Sequence, residues 1–221
     1  MRELLERGHI FIAQPPLYKI SKGKQQSYLK DEAELDSFFV NVALENAELH
    51  INDQAPAIAA EPLGQMVTEY KSVMAMINRL SKLYPPLILK RLVDEPALTE
   101  EMLKSESTVA EWCNNLQAFF TDEHKAGSEA YIITVREDKE RNLFLPNVEI
   151  VSHGITHEHR FNHDFFQSSE YRAATELGKK ITGLIEETGY VKRGEKQEAV
   201  ASFAEALGWL TKEAKRGFMI Q

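Results

Sequence analysis

Long hydrophobic runs, cysteine and short catalytic signatures are what this chain has least of. No apolar run among its 221 residues approaches the roughly 18 that a membrane span needs, so no spanning helix is expected. Glu3 and Glu6 sit among the leucines of the N-terminus, which breaks any signal-peptide pattern. One cysteine, Cys113, cannot form an internal disulfide, and this fits a reducing cytoplasm. A Ser-His-Asp elbow, a Walker loop, GxGxxG and HExxH are all missing, and Gly183 and Gly189 are single glycines near a helix end. Internal repeats and low-complexity segments are missing too. What remains is the composition of a soluble globular protein, 43% hydrophobic and 27% charged, long enough for one large domain or two small ones.

Charge is unevenly placed. Residues 1–30 hold six Lys/Arg against two acids, a balance of +4, while the other 191 residues hold 20 basic and 32 acidic ones, a balance of -12. Phosphates would favour the first part and be repelled by the second as a whole.

Hydrophobic periodicity sets the expected elements. His9–Ala13 reads as a strand buried on both faces, ended by Pro15-Pro16. Leu17–Ile20 and Gln26–Leu29 flank Ser21–Lys24 as a hairpin. Asp31–Phe38 reads as a short helix with acids in its first turn. Phe39–Leu44 and Glu48–Asn52 read as strands joined at Glu45–Ala47. Leu63, Met66, Val67, Tyr70, Val73, Met74, Ile77 and Leu80 recur at helical spacing, up to the break at Pro85-Pro86. A short helix is expected over Leu87–Val93. Thr99 can cap Glu100–Lys104. Thr108 with Glu111 has the capping-box pattern before Trp112, Cys113, Leu116 and Phe120, in a helix ending near His124–Gly127. Glu129–Arg136, Leu143–Ser152 and Thr156–Asn162 read as an antiparallel meander. Gln167–Glu187 reads as one helix. Ser202 with Glu205 opens another through Lys215, with Gly217 after it and a last strand over Phe218–Gln221. The fold class is therefore α+β, mixed helices with antiparallel sheet.

Four groups of side chains have chemistry to offer. His153, His157, His159 and His163 cluster with Glu158 and Asp164, and His157 and His159 share one strand face. A metal site is the sharper reading, but no standard ligand spacing is present. Exposed imidazoles are expected, with no metal and no cofactor bound. Asp31, Glu32, Glu34 and Asp36 could suggest a Mg²⁺ site, yet a helical turn fans them apart, so a solvated helix start is expected. Lys19, Lys22 and Lys24 along the hairpin are candidate contacts to DNA phosphates, weighed equally against plain surface lysines. Lys71, Arg79, Lys82, Lys90 and Arg91 form a weaker candidate basic face, with no acid between Tyr70 and Val93. Met66, Met74, Met76, Trp112, Phe119 and Phe120 could form a docking surface, but at helical spacing such residues are expected to be core. Met76 and Phe119 fall off the main apolar stripe of their helices and are the two candidates for exposed contacts.

The stretch Gly8–Lys24, GHIFIAQPPLYKISKGK, resembles the end of the TOPRIM domain in the B-subunit family of bacterial DNA gyrases, which are type IIA topoisomerases. The resemblance continues through Gln25–Phe38, QQSYLKDEAELDSF. Gly189–Gln221 is similar to the end of a large insertion that some of these proteins carry inside TOPRIM. It implies that residues 1–38 are the tail of a TOPRIM domain, 39–216 an inserted domain, and 217–221 a strand returning to TOPRIM. Insertion of this kind is tolerated where the insert's ends lie close together at the surface.

The family's metal chemistry needs an EGDSA-like loop and a DxDxD-like strand end, and its RYKGLGEM-like motif follows the insertion. None of these is in the sequence, and Arg2–Arg7 reads as the end of a longer helix. The chain is therefore expected to be a non-catalytic fragment, with Mg²⁺ and ATP bound by its parent at sites outside it. The resemblance implies a cytoplasmic parent that negatively supercoils DNA with ATP. Its partners would be the DNA gyrase A subunit, in an A2B2 heterotetramer, and double-stranded DNA, with no membrane. The fragment would brace TOPRIM and the A subunit, help position DNA and couple strand passage to ATP turnover. The alternative is a direct DNA-binding module that uses the basic hairpin and helix face. A free-standing acidic interaction protein and a metal-dependent hydrolase are the remoter readings.

Overall fold

The computed structural model describes residues 15–123 and 129–221. The strand expected at 9–13 and the helix end at His124–Gly127 lie outside them. Along the chain run β1 (Tyr18–Lys22), β2 (Gln25–Leu29), α1 (Glu32–Leu44), β3 (Ala47–His50), α2 (Ala60–Leu80) and α3 (Pro86–Arg91). A 3₁₀ turn, Met102–Lys104, leads into α4 (Glu106–Glu123), then β4 (Glu129–Asp138), β5 (Leu143–Ser152) and β6 (Ile155–Arg160). The last elements are α5 (His163–Gln167), α6 (Ser169–Ile181), β7 (Tyr190–Arg193), β8 (Lys196–Ala199), α7 (Phe203–Lys215) and β9 (Met219–Ile220). The protein is α+β. It divides into two compact units, Met1–Gly64 with Ile185–Gln221, and Gln65–Leu184. Among the described residues no helix is long and apolar enough to cross a membrane.

In the first unit a tight hairpin joins β1 to β2. Gly23, at φ +60°, takes the first central position of its two-residue turn, a conformation that costs glycine nothing. The expected strand at Phe39–Leu44 is instead the second half of α1. Asp31 Oδ1 accepts the Glu34 N–H at 2.9 Å, and the Glu34 carboxylate accepts the Lys30 N–H, a reciprocal cap that starts the helix firmly. Phe39 and Ala43, four residues apart, are then buried on one face against α7. That burial outweighs the strand preference of Phe and Val. This helix crosses the 38/39 position without a break.

At the other end Ser202 Oγ accepts the Glu205 N–H at 3.2 Å and Glu205 Oε2 accepts the Ala201 N–H at 2.8 Å, so α7 starts where its capping pattern predicts. Gly217, at φ +80°, then turns the chain. Phe218 packs edge-to-face on Phe38 and Phe39, with centroids 5.7 and 5.5 Å away. Met219 and Ile220 pair antiparallel with Ser21 and Ile20, giving a sheet in the order β2-β1-β9. A second sheet, β3-β7-β8, completes this unit.

The second unit packs helices on one face of the meander β4-β5-β6. Ile77, Leu103, Leu116, Leu145 and Leu177 are each at most 1% exposed in its core. Helix α4 covers the β4 edge. The side chain of Gln117 donates to Tyr131 O at 2.9 Å and accepts from Ile133 N at 2.8 Å, replacing the ladder bonds of a missing strand. Trp112 Nε1 donates to Pro96 O, and Tyr171 Oη accepts from Leu98 N, both at 2.8 Å, which ties down the segment between α3 and the 3₁₀ turn.

Three expectations change here. Helix α4 starts one turn earlier than Thr108, because Ser105 Oγ accepts the Thr108 N–H. Gln167–Glu187 is not one helix. Ser168 closes α5, caps α6 through the Tyr171 N–H, and α6 ends at Ile181. Met76 is 8% exposed, inside the core, and Phe119 packs against that core.

Candidate functional site

Strand register decides what the hairpin lysines can reach. Successive side chains on a strand face opposite ways. Ile20, 1% exposed, marks the inner face of β1. Lys19 and Ser21 are therefore on the outer face, with their cross-strand partners Tyr28 and Gln26. Tyr28 is 60% exposed there. Lys22 shares the face of Ile20, and its Nζ sits 4.8 Å from the Phe218 ring centroid. Lys24 stands in the turn. Lys19 and Lys22, grouped by sequence, are thus placed on opposite faces, with Lys22 engaged by an aromatic ring. Tyr28 is the neighbour that sequence reasoning missed. Its signal was parity, since a two-residue turn sets it directly opposite Lys19.

The second basic set is spread over three stretches of the chain. Lys71 and Arg79 belong to α2, Lys82 to the turn after it, and Lys90 and Arg91 to α3. Lys71 is half-buried and partnered, whereas Arg79, Lys82 and Lys90 are exposed. Arg91 is held within its surroundings. Its Nε bonds Glu95 Oε1 at 2.8 Å, and its guanidinium lies 4.2 Å from the Phe119 centroid.

The histidines separate as well. His153, at φ +51°, stands in the turn with Nδ1 3.1 Å from Ser152 Oγ. His163 lies 3.5 Å from Asp164. Only His157 and His159 share a site, a cleft of about 440 Å³ that is also lined by Lys82, Tyr84, Glu129 and Tyr131. Glu158 is on the opposite strand face, 2.8 Å from Arg160, whose hydrogen bond lowers its carboxyl below the ordinary value. Among the described residues no three His, Cys, Asp or Glu converge as a metal would require. Of the acids near residue 31, Asp31 and Glu34 are committed to the cap of α1. Cys113 is buried, and that burial pushes its thiol up to about 12, far from the thiolate a nucleophile needs.

Two family descriptions match the chain. "DNA gyrase B subunit insert domain" covers residues 47–214, and "GyrB, hook" covers 16–44. Among curated proteins, a DNA gyrase B subunit of Caulobacter vibrioides is 43% identical over 91 residues, 41% of this chain and 11% of that protein. The DNA gyrase B subunit of Rickettsia bellii is 31% identical over 107 residues, 48% of this chain and 13% of the relative. That of Helicobacter pylori is 31% identical over 130 residues, 56% of this chain and 16% of the relative. The matched region thus spans well under a fifth of these relatives' lengths.

Proposed function

This chain belongs to the DNA gyrase B subunit insert-domain family, and from that premise we propose that it is a non-catalytic brace within a gyrase. On this reading the parent enzyme negatively supercoils DNA with ATP and Mg²⁺ held at sites outside the chain. The inserted part supports TOPRIM and the gyrase A subunit, helps hold the DNA segment, and couples strand passage to ATP turnover.

The supporting observation is the return of the chain. β9 pairs with β1, so everything between β2 and β9 leaves from and comes back to one small sheet. An insert with adjacent ends can be added to a host domain without breaking its sheet. Replacing residues 39–216 by a short linker in the full-length B subunit, reconstituted with the A subunit, tests the role. Loss of ATP-dependent supercoiling is expected, and wild-type supercoiling by a well-folded deletion would overturn it.

A second reading, direct contact with duplex DNA, is favoured by the hairpin itself. Residues 15–30 hold four lysines and no acid, and Lys19 and Tyr28 share the outer face of the sheet. Salt-sensitive binding of a labelled duplex supports this reading. Its absence at low salt assigns the role to protein contacts.

A further inference from the structure

Two features far apart in sequence meet in the second unit. Lys82 comes from the stretch after α2, and His157 and His159 from β6, yet all three line one cleft. One wall is the turn after α2 with the start of α3, residues 81–87. The other is the meander face that register assigns to Glu129 and Tyr131 of β4, Ile150 and Ser152 of β5, and the two histidines.

The walls are apolar and fixed. Tyr84 stacks on Phe161 at 4.8 Å, and Tyr131 stacks on Phe120 at 4.5 Å. Leu83 and Leu87, 71% and 39% exposed, leave apolar surface at the mouth that an occupant would cover. The polar groups are unequal. The Glu129 carboxylate accepts the Tyr131 hydroxyl at 3.1 Å. Among the described residues, no carboxylate pairs with Lys82, His157 or His159. An ammonium therefore remains with its donors untaken, beside imidazoles that each offer at least one N–H.

We propose that this cleft binds a small planar organic anion of the aromatic carboxylate class. The carboxylate would take the donors of Lys82 and the imidazoles, and the ring would lie along the tyrosine and leucine walls. A volume of about 440 Å³ falls within the range of roughly 300–1,000 Å³ typical of small-molecule sites. A bare inorganic anion would leave the apolar walls uncovered, and a neutral ring would leave the cationic donors without a charged acceptor.

The test is titration of the whole chain with benzoate, benzamide and acetate, followed by the Cε1–H signals of its histidines. His50, His153 and His163 lie outside the cleft and serve as internal controls. Benzoate is expected to shift His157 and His159 saturably in the millimolar range. Benzamide should bind about tenfold more weakly, the scale of one lost charge-assisted hydrogen bond, and acetate should also bind more weakly, because it keeps the charge but leaves the apolar walls uncovered. Lys82→Gln, a change at an exposed side chain, should weaken benzoate by a similar factor and leave the control histidines unmoved. Equal binding of benzamide, an equal shift of all histidines, or no saturable shift with benzoate would each overturn the proposal.

Discussion

Glu213 is a buried carboxylate held by two cations, with Lys196 Nζ at 2.8 Å and Arg216 Nη1 at 2.9 Å. The Lys196 hydrogen bond depresses its pKa below the ordinary 4.5. Desolvation opposes this, and the charges of Arg216, Lys196 and Arg193 add to it. A depressed native value means that the folded state binds fewer protons than the unfolded one. The stabilisation is therefore whole above 4.5 and is lost as pH falls through the native value. Melting temperatures of the wild type and Glu213→Gln should differ at neutral pH and converge in acid. A constant gap would show that proton linkage is not the cause. Cys113 offers a second check at this scale. With its thiol pushed up to about 12 by burial, iodoacetamide at mildly alkaline pH should label it only as fast as the protein opens, and far faster in denaturant. Rapid labelling of the native chain would contradict that burial.

Two glycines in helices are predicted to respond in opposite directions. On Gly178 of α6, a Cβ would fall 1.8 Å from the Val93 carbonyl oxygen, so Gly178→Ala forces backbone apart and should cost about 1–3 kcal/mol or more. Gly208 of α7 has nothing within 4 Å of its missing Cβ, and Gly208→Ala should stabilise by up to about 1 kcal/mol. Urea denaturation separates the two, and a stabilising Gly178→Ala would refute the close approach. Elements were legible in the sequence where their signals are local. Ser202 with Glu205 marks the start of α7 by hydrogen bonds only three and four residues long. Phe39–Leu44 was not legible as helix, because its aromatic and β-branched residues favour a strand in isolation. Only burial against α7, more than 150 residues away, decides otherwise. Ser168 was missed for a related reason, since one hydroxyl both ends α5 and starts α6 inside a continuous amphipathic pattern. The candidate sites divide the same way. The lysines of the hairpin could be found by composition, but their faces needed the register. The cleft needed the tertiary fold to bring Lys82 to His157.

For the whole molecule, a net charge of -8 makes its long-range field unfavourable to DNA, so any duplex binding must rest on local basic surface such as the acid-free hairpin. Under that reading the contribution of each lysine follows from where the structure puts it. Lys19 on the outer face and Lys24 in the turn are free to meet phosphates, while Lys22 sits over Phe218. Each phosphate contact removed should lower the slope of log affinity against log salt by about 1. The double change Lys19→Gln with Lys24→Gln should therefore reduce the slope by about 2 and leave the melting temperature unchanged. Lys22→Gln should do the reverse, keeping the slope and losing about 0.5–1 kcal/mol of stability, the scale of an exposed cation–π contact. Anisotropy of a labelled duplex at several salt concentrations, with thermal melts of the same samples, reads both quantities. If Lys22→Gln lowers the slope as much as Lys19→Gln, the hairpin presents its lysines to DNA without regard to face. The outer face would then lose its distinction, and the case for Tyr28 as a neighbouring contact would fall with it.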